Sequence, residues 1–338
     1  MNLHHRLRMM LADAQDPNFD EKKHPRRKDG EFAPKGKGDS SPAPSSTSVP
    51  SSDEDEDDTP LRPTKSGHLQ LAHPDREQWP EHIKALKLPP AWHDVAVSHD
   101  PNADLLAIGR DAKNRAQYVY SEKFAKSQSA LKFARITELD SKFHYIKDQN
   151  DAARRSRDPK LKDHGDCMHL IMTMGLRPGG DDDTGAEKKA YGASTLEGQH
   201  VALLNGVVRL QFVGKKSVDI NLAVPDSDTA QMLLKRARAA GPDGKLFPHV
   251  SAQSLLAYVH SLDGGGFKTK DMRTLKGTKE AQRMVDSMPI PANAKEHRKS
   301  IMVVAKHVSS LLGNTPAVAL TSYINPVIFA PWSHAKDL

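Results

Sequence analysis

The stretch GNTPAVALTSYINP, Gly313 to Pro326, sets the reading of the whole chain. Thr315 suits a helix N-cap, Pro316 suits the first helical position, and Pro326 stops the helix. The pattern predicts a short helix that presents Tyr323 near its end. Most tyrosines so placed only pack, so any chemical meaning must come from upstream.

Immediately before it, HRKSIMVVAKHVSSLL places Ile301, Val304, Ala305 and Val308 at helical spacing, with Gly313 as the C-cap. Further back, FKTKDMRTLKGTKEAQRMV reads as a helix carrying Lys270 and Arg273, with Thr269 as its cap. TAQMLLKRARAA and AQSLLAYVHSL are two more helices. Between Val208 and Val224 the period changes to two: Val208, Leu210 and Phe212 alternate, as do Val218, Ile220, Leu222 and Val224. Gly214-Lys215-Lys216-Ser217 turns the chain between them. This is a β-hairpin with lysines at its tip, where a lysine is either solvated or able to reach a ligand.

GDCMHLIMTMGLRPGG is a helix with Cys167, Leu170, Ile171 and Met174 on one face, followed by Arg177 before a Pro-Gly-Gly turn. His164, Cys167 and His169 fit no zinc spacing and read as helix packing, so no metal is expected. A longer helix precedes it, with Leu131, Ile136, Leu139, Phe143 and Ile146 at apolar positions.

The part before residue 125 is β-rich. HIKALKLPPAWHDVAVS gives an amphipathic turn, then a strand at Val95 and Val97. DLLAIGRDAKNRAQYVYSEKF gives two strands about a polar turn at Asp111 to Arg115. Arg110, Lys113, Arg115, Gln117 and Tyr118 mix cations, an amide and a ring, which suits phosphates and base edges. Spacing alone favours an ordinary hairpin with a charged, solvated turn.

Residues 1–65 read as a tail. It holds a basic cluster from Lys22 to Lys28, a Ser/Pro linker and an acidic run from Asp53 to Asp58, none able to bury a core. The whole chain has 338 residues and a formal charge of +6 despite that acidic run, which favours a polyanionic partner. A single cysteine excludes an internal disulfide, and no apolar run is long enough to span a bilayer. The expectation is a soluble, intracellular protein.

In order, Arg177, Lys215, Arg273 and Tyr323 form a constellation. With the segments PPAWHDVAVS, LLAIGRDAKNRAQYVY, YGASTLEGQHV, LQFVGKKSV, FKTKDMRTLKGT and LGNTPAVALTSYINP, the chain from about Lys84 to Pro326 resembles the type IB DNA topoisomerases, in their compact poxvirus and bacterial-like branch. The resemblance implies an α+β fold: a small β-rich N-terminal domain (66–124), then a mainly α-helical catalytic domain with a β-hairpin (125–330), and a C-terminal tail (331–338). It implies relaxation of supercoiled duplex DNA through a 3′-phosphotyrosine on Tyr323, without ATP, metal or other cofactor. Arg177 and Arg273 would hold the non-bridging phosphate oxygens, and Lys215 would protonate the 5′-oxygen. Asn314 stands where many members carry histidine; it keeps a donor and loses the charge. Arg110, Lys113, Arg115, Gln117 and Tyr118 become candidate DNA contacts of a monomer that clamps double-stranded DNA, cytoplasmic and nucleoid-associated if bacterial.

Two other readings stand beside this one. A tyrosine recombinase shares the Arg–Lys–Arg–Tyr chemistry, but usually carries His-x-x-Arg where this chain has Lys270-x-x-Arg273. A non-catalytic basic DNA-binding protein explains the charge and leaves the constellation unexplained.

Overall fold

The computed structural model describes residues 69–180 and 189–336. The tail with its basic and acidic runs, and the polar stretch after Gly180, lie outside the described residues. The described chain divides into two compact units, 69–134 and 135–336.

The first unit is a four-stranded antiparallel sheet in sequential order: β1 (Leu69–Leu71), β2 (His93–Ser98), β3 (Leu105–Arg110) and β4 (Ala116–Tyr120). The short helix α1 (Glu81–Lys84) comes between β1 and β2. Alternation does the sorting: Val95, Val97, Leu106 and Val119 turn inward onto Ile83, Leu88 and Trp79. The hairpin expected around Asp111 to Arg115 is present, with Arg110 opposite Ala116 and Ile108 opposite Tyr118.

Helix α2 (Glu122–Arg154) runs across the boundary between the units. Ile136, Leu139 and Ile146 are buried, and Phe143 packs at the edge of the same core. Leu131, expected on that face, is 49% exposed. It lies five residues before Ile136, about 140° away around the helix at 100° per residue, so it belongs to a different side.

The second unit is mainly helical. Helix α3 (Pro159–Met174) starts where Asp158 accepts from the Lys160 amide and Pro159 takes the first position; it ends at left-handed Gly175. A three-stranded antiparallel sheet follows: β5 (Val201–Leu204), β6 (Val207–Gly214) and β7 (Val218–Ala223). The expected β6–β7 hairpin is there, its tip a single 3-10 turn at Lys215–Ser217. Strand β5 joins through Asn205-Gly206, both at positive φ, a two-residue hairpin turn.

Then come α4 (Ser227–Ala240), α5 (Ala252–Asp263), α6 (Asp271–Ser287) and α7 (Ala294–Leu312). One core gathers α2, α3, the sheet, α5 and the start of α6. A second joins the end of α6, α7 and the C-terminal turns, with Trp332 only 1% exposed. The segment expected as a tail from residue 331 therefore continues 3-10 turns (Pro326–Lys336) and contributes a core side chain. Leu233 of α4 is buried in the first core, and Arg236 ties the helix to Asp163 and Asp166 of α3 at 2.7 and 2.6 Å.

Candidate active site

Three elements of the second unit meet around one phenol, and a fourth shares a pocket with the two arginines beside it. The first is the segment that carries it. Thr315 caps as expected, accepting from the Val318 amide, and Pro316 opens a single α-turn, Pro316–Val318. The chain then widens into a π-helical turn, Ala319–Tyr323. Such turns release a residue from the regular helical progression and often mark functional positions. The helix ends at Tyr323 rather than at Pro326; Pro326 opens the next set of turns, as its fixed φ allows.

The second element is α6. Asp271, 1% exposed, accepts Arg135 Nε and Nη2 at 2.8 and 3.0 Å and the Lys268 amide at 2.9 Å. This carboxylate, not Thr269, organises the helix start: Thr269 makes no cap and its buried hydroxyl has no hydrogen-bond partner among the described residues. Two residues on, Arg273 is 3% exposed and donates to the carbonyls of Gly175 and Leu312, the ends of α3 and α7. Helix ends concentrate negative partial charge, which suits a buried cation. Its guanidinium carbon lies 4.8 Å from the centre of the Tyr323 ring.

The same helix also grips the backbone at Tyr323. Thr278 Oγ1 donates to the Tyr323 carbonyl at 3.1 Å and accepts from the Asn325 amide at 3.2 Å. Gly277 permits that approach, since a Cβ there would lie 2.9 Å from the Tyr323 carbonyl oxygen. Neither residue is legible as functional from sequence, because their partner sits more than 40 positions away.

The third element is the loop after α3. Arg177 is held by its own carbonyl, which accepts from the Ala193 amide at 2.9 Å, while Pro178 accepts from Ser194 at 2.8 Å. Arg177 Nη1 donates to Tyr323 Oη at 3.2 Å. The fourth is the hairpin tip: one pocket is lined by Arg177, Lys215, Arg273, Tyr191, Ile220 and Gly313, among others. Gly313 sits at φ +59°, and a Cβ there would fall 2.5 Å from Ile220 Cδ1, so a side chain would be strained and would displace Ile220 where the end of α7 meets the hairpin.

Arg177, Lys215, Arg273 and Tyr323 are thus brought together. Asn314 follows Gly313 directly, yet both its side-chain polar atoms are shielded from solvent and lack hydrogen-bond partners among the described residues. Arg110, Lys113, Arg115, Gln117 and Tyr118 lie together on the other unit, along the β3–β4 turn and β4. All but Gln117 are exposed.

A carboxylate–imidazole group that could offer metal ligands exists at His169, Asp226 and Asp228. Each is already engaged: Asp226 caps α4, Asp228 pairs with Arg154 at 2.7 Å, and His169 bonds Thr229 Oγ1. Cys167 is buried in the core, and burial pushes its thiol above the usual range.

A β-rich unit, a helical unit with a hairpin, and a tyrosine flanked by two arginines define a tyrosine-type DNA strand transferase. Residues 121–325 match the family model of the eukaryotic DNA topoisomerase I catalytic core, and residues 74–111 that of the bacterial DNA topoisomerase IB N-terminal domain. The chain belongs to the type IB DNA topoisomerase family. It is 28% identical over 262 residues to DNA topoisomerase 1B of Acanthamoeba polyphaga mimivirus, covering 72% of this chain and 77% of that one. It is 22% identical over 263 residues to DNA topoisomerase 1B of Vaccinia virus (strain Copenhagen), covering 73% and 80%.

Proposed function

We infer that this type IB topoisomerase relaxes supercoiled duplex DNA by cutting one strand on Tyr323, letting it swivel, and resealing it. The observation that supports this most strongly is the Arg177–Tyr323 contact at 3.2 Å with Arg273 against the same ring.

Tyr323 Oη attacks phosphorus, the bond to the 5′-oxygen breaks, and the phenolic proton is lost. The DNA 3′ end is left on tyrosine as a phosphodiester. Lys215 delivers a proton to the departing 5′-oxygen, converting a poor leaving group into a hydroxyl. Arg177 and Arg273 offer permanent charge and planar donor forks to the oxygens where negative charge builds. Religation is the same path reversed, with the 5′-hydroxyl as nucleophile. Since the phosphotyrosine conserves the bond energy, no nucleotide is consumed.

All four groups sit in one unit of one chain, which supports action as a monomer. No helix among the described residues is long and apolar enough to cross a membrane. We place the protein's work in the DNA-containing compartment, with Arg110, Lys113, Arg115, Gln117 and Tyr118 on the duplex. The test is plasmid relaxation in EDTA without ATP. Relaxation of both positive and negative supercoils is expected; a strict need for ATP or a divalent cation, or for paired recombination sites, refutes the reading.

A further inference from the structure

The β3–β4 turn carries an acid in the middle of a cationic face. Asp111 is flanked by exposed Arg110, Lys113 and Arg115, yet its own side chain is only 18% exposed. Facing a polyanion, a bare carboxylate here would weaken binding, so its presence calls for a local reason. Its two oxygens divide the labour. Oδ1 accepts the amides of Lys113 and Arg115, at 2.9 and 3.0 Å, and closes the turn. Oδ2 accepts side chains only: Arg115 Nε at 2.8 Å, Arg115 Nη2 at 2.6 Å, and Gln117 Nε2 at 3.2 Å.

The last contact has a chemical consequence. An ionised carboxylate is acceptor-only, so it selects the amide nitrogen of Gln117 and fixes which way the amide faces. One amide N–H is occupied, leaving the other N–H and the carbonyl oxygen in a set orientation. Donor and acceptor side by side are what a glutamine presents to the N7 and N6 edge of adenine. Burial raises the Asp111 pKa, but the Arg115 side chain and the two turn amides outweigh it and hold the acid below its ordinary range.

We propose that Asp111 is a positioning residue that sets base preference, its Oδ2 holding Gln117 and Arg115 in the geometry that reads the duplex. This rests on the reading of the β3–β4 face as a DNA contact. Asp111 itself touches no DNA.

The two oxygens allow a clean experiment on the full chain. Asp111→Asn keeps an acceptor for the turn amides and replaces Oδ2 by a donor group that repels Arg115 and Gln117. Asp111→Ser is the companion variant; its hydroxyl can serve the turn but cannot reach the side chains. Each protein is mixed with a linear plasmid duplex and quenched with denaturant. Covalent cleavage positions are then mapped by sequencing, and DNA affinity is measured across a salt series. Gln117→Ala is expected to flatten the base preference at one position by at least about fivefold. Asp111→Asn and Asp111→Ser are expected to flatten that same position to the same degree, and the double variant Asp111→Asn/Gln117→Ala to add nothing. Affinity is expected to hold or rise, with a salt slope no shallower than wild type, since an acid has been neutralised and Arg115 released. If either Asp111 variant keeps the preference that Gln117→Ala loses, the proposal is overturned. If Gln117→Ala and Arg115→Ala change neither preference nor affinity, the DNA-contact reading falls and takes the proposal with it.

Discussion

Arg177 Nη1 donates to Tyr323 Oη across 3.2 Å, although the two residues are 146 positions apart in the chain. On the proposed mechanism this guanidinium fork meets the phosphate that the phenol attacks. Arg177→Ala is expected to slow single-turnover cleavage by about 10²–10³-fold, the usual loss for one preorganised donor at a developing oxyanion. Arg177→Lys should recover little, because an ammonium lacks the planar fork. DNA affinity measured by filter binding should stay within a few-fold; an equal fall in both would assign Arg177 to binding alone.

Thr278 bonds the Tyr323 carbonyl and the Asn325 amide, and its helix also carries Arg273. Thr278→Val keeps the shape and removes both hydrogen bonds, a change worth about 1–2 kcal/mol, or roughly five- to thirtyfold. Cleavage and religation share a transition state, so both rates should fall by the same factor while the cleavage equilibrium stays put. Thr278→Ser should restore both. A shifted equilibrium with unchanged rates would show that Thr278 acts on the covalent adduct instead.

Asn314 supplies a dipole where a charge is common in the resembling family, and its buried amide has no hydrogen-bond partner among the described residues. Asn314→His is expected to accelerate single-turnover cleavage several-fold below neutral pH, where the imidazole is charged, and to lose that gain as pH rises. A pH-independent rate equal to wild type would mean that charge at this position does not limit the chemistry.

His169 gives a stability prediction with a definite sign. Burial, then the Arg154 charge, push its pKa below the ordinary 6.5. The unfolded chain therefore binds a proton near pH 6.5 that the folded chain refuses. Below that pH the term opposes folding, increasingly until the folded pKa is passed; above it the term vanishes. Thermal midpoints should decline from pH 7 toward pH 5.5, and His169→Gln should flatten that decline. An equally steep decline in the variant would remove His169 as its source.

Much of the fold could be read from local pattern. The period-two runs around Val95 and Phe212 and the capped apolar stripe ending at Gly313 are local signals, and the structure bears them out. Strand β5 was legible too, since Asn205-Gly206 between apolar runs is a strong hairpin signal. Thr278, Gly277 and Asp271 were hidden for a different reason. Each acts on a residue brought close by tertiary packing, and nothing in its own neighbourhood records that. Thr269 misled because Asp271, two residues further on, took over the helix start with help from Arg135. The resemblance located Arg177, Lys215, Arg273 and Tyr323; only the packed chain puts a guanidinium on the phenol.

The central claim is that DNA becomes bonded to one phenol. Incubating the protein with plasmid, quenching with denaturant, digesting both polymers and sequencing the nucleotide-bearing peptide by mass spectrometry tests it directly. The expected result is a 3′-linked nucleotide on Tyr323, absent from the Tyr323→Phe variant, which still binds DNA. A nucleotide on any other residue, or an adduct that persists in Tyr323→Phe, would contradict it.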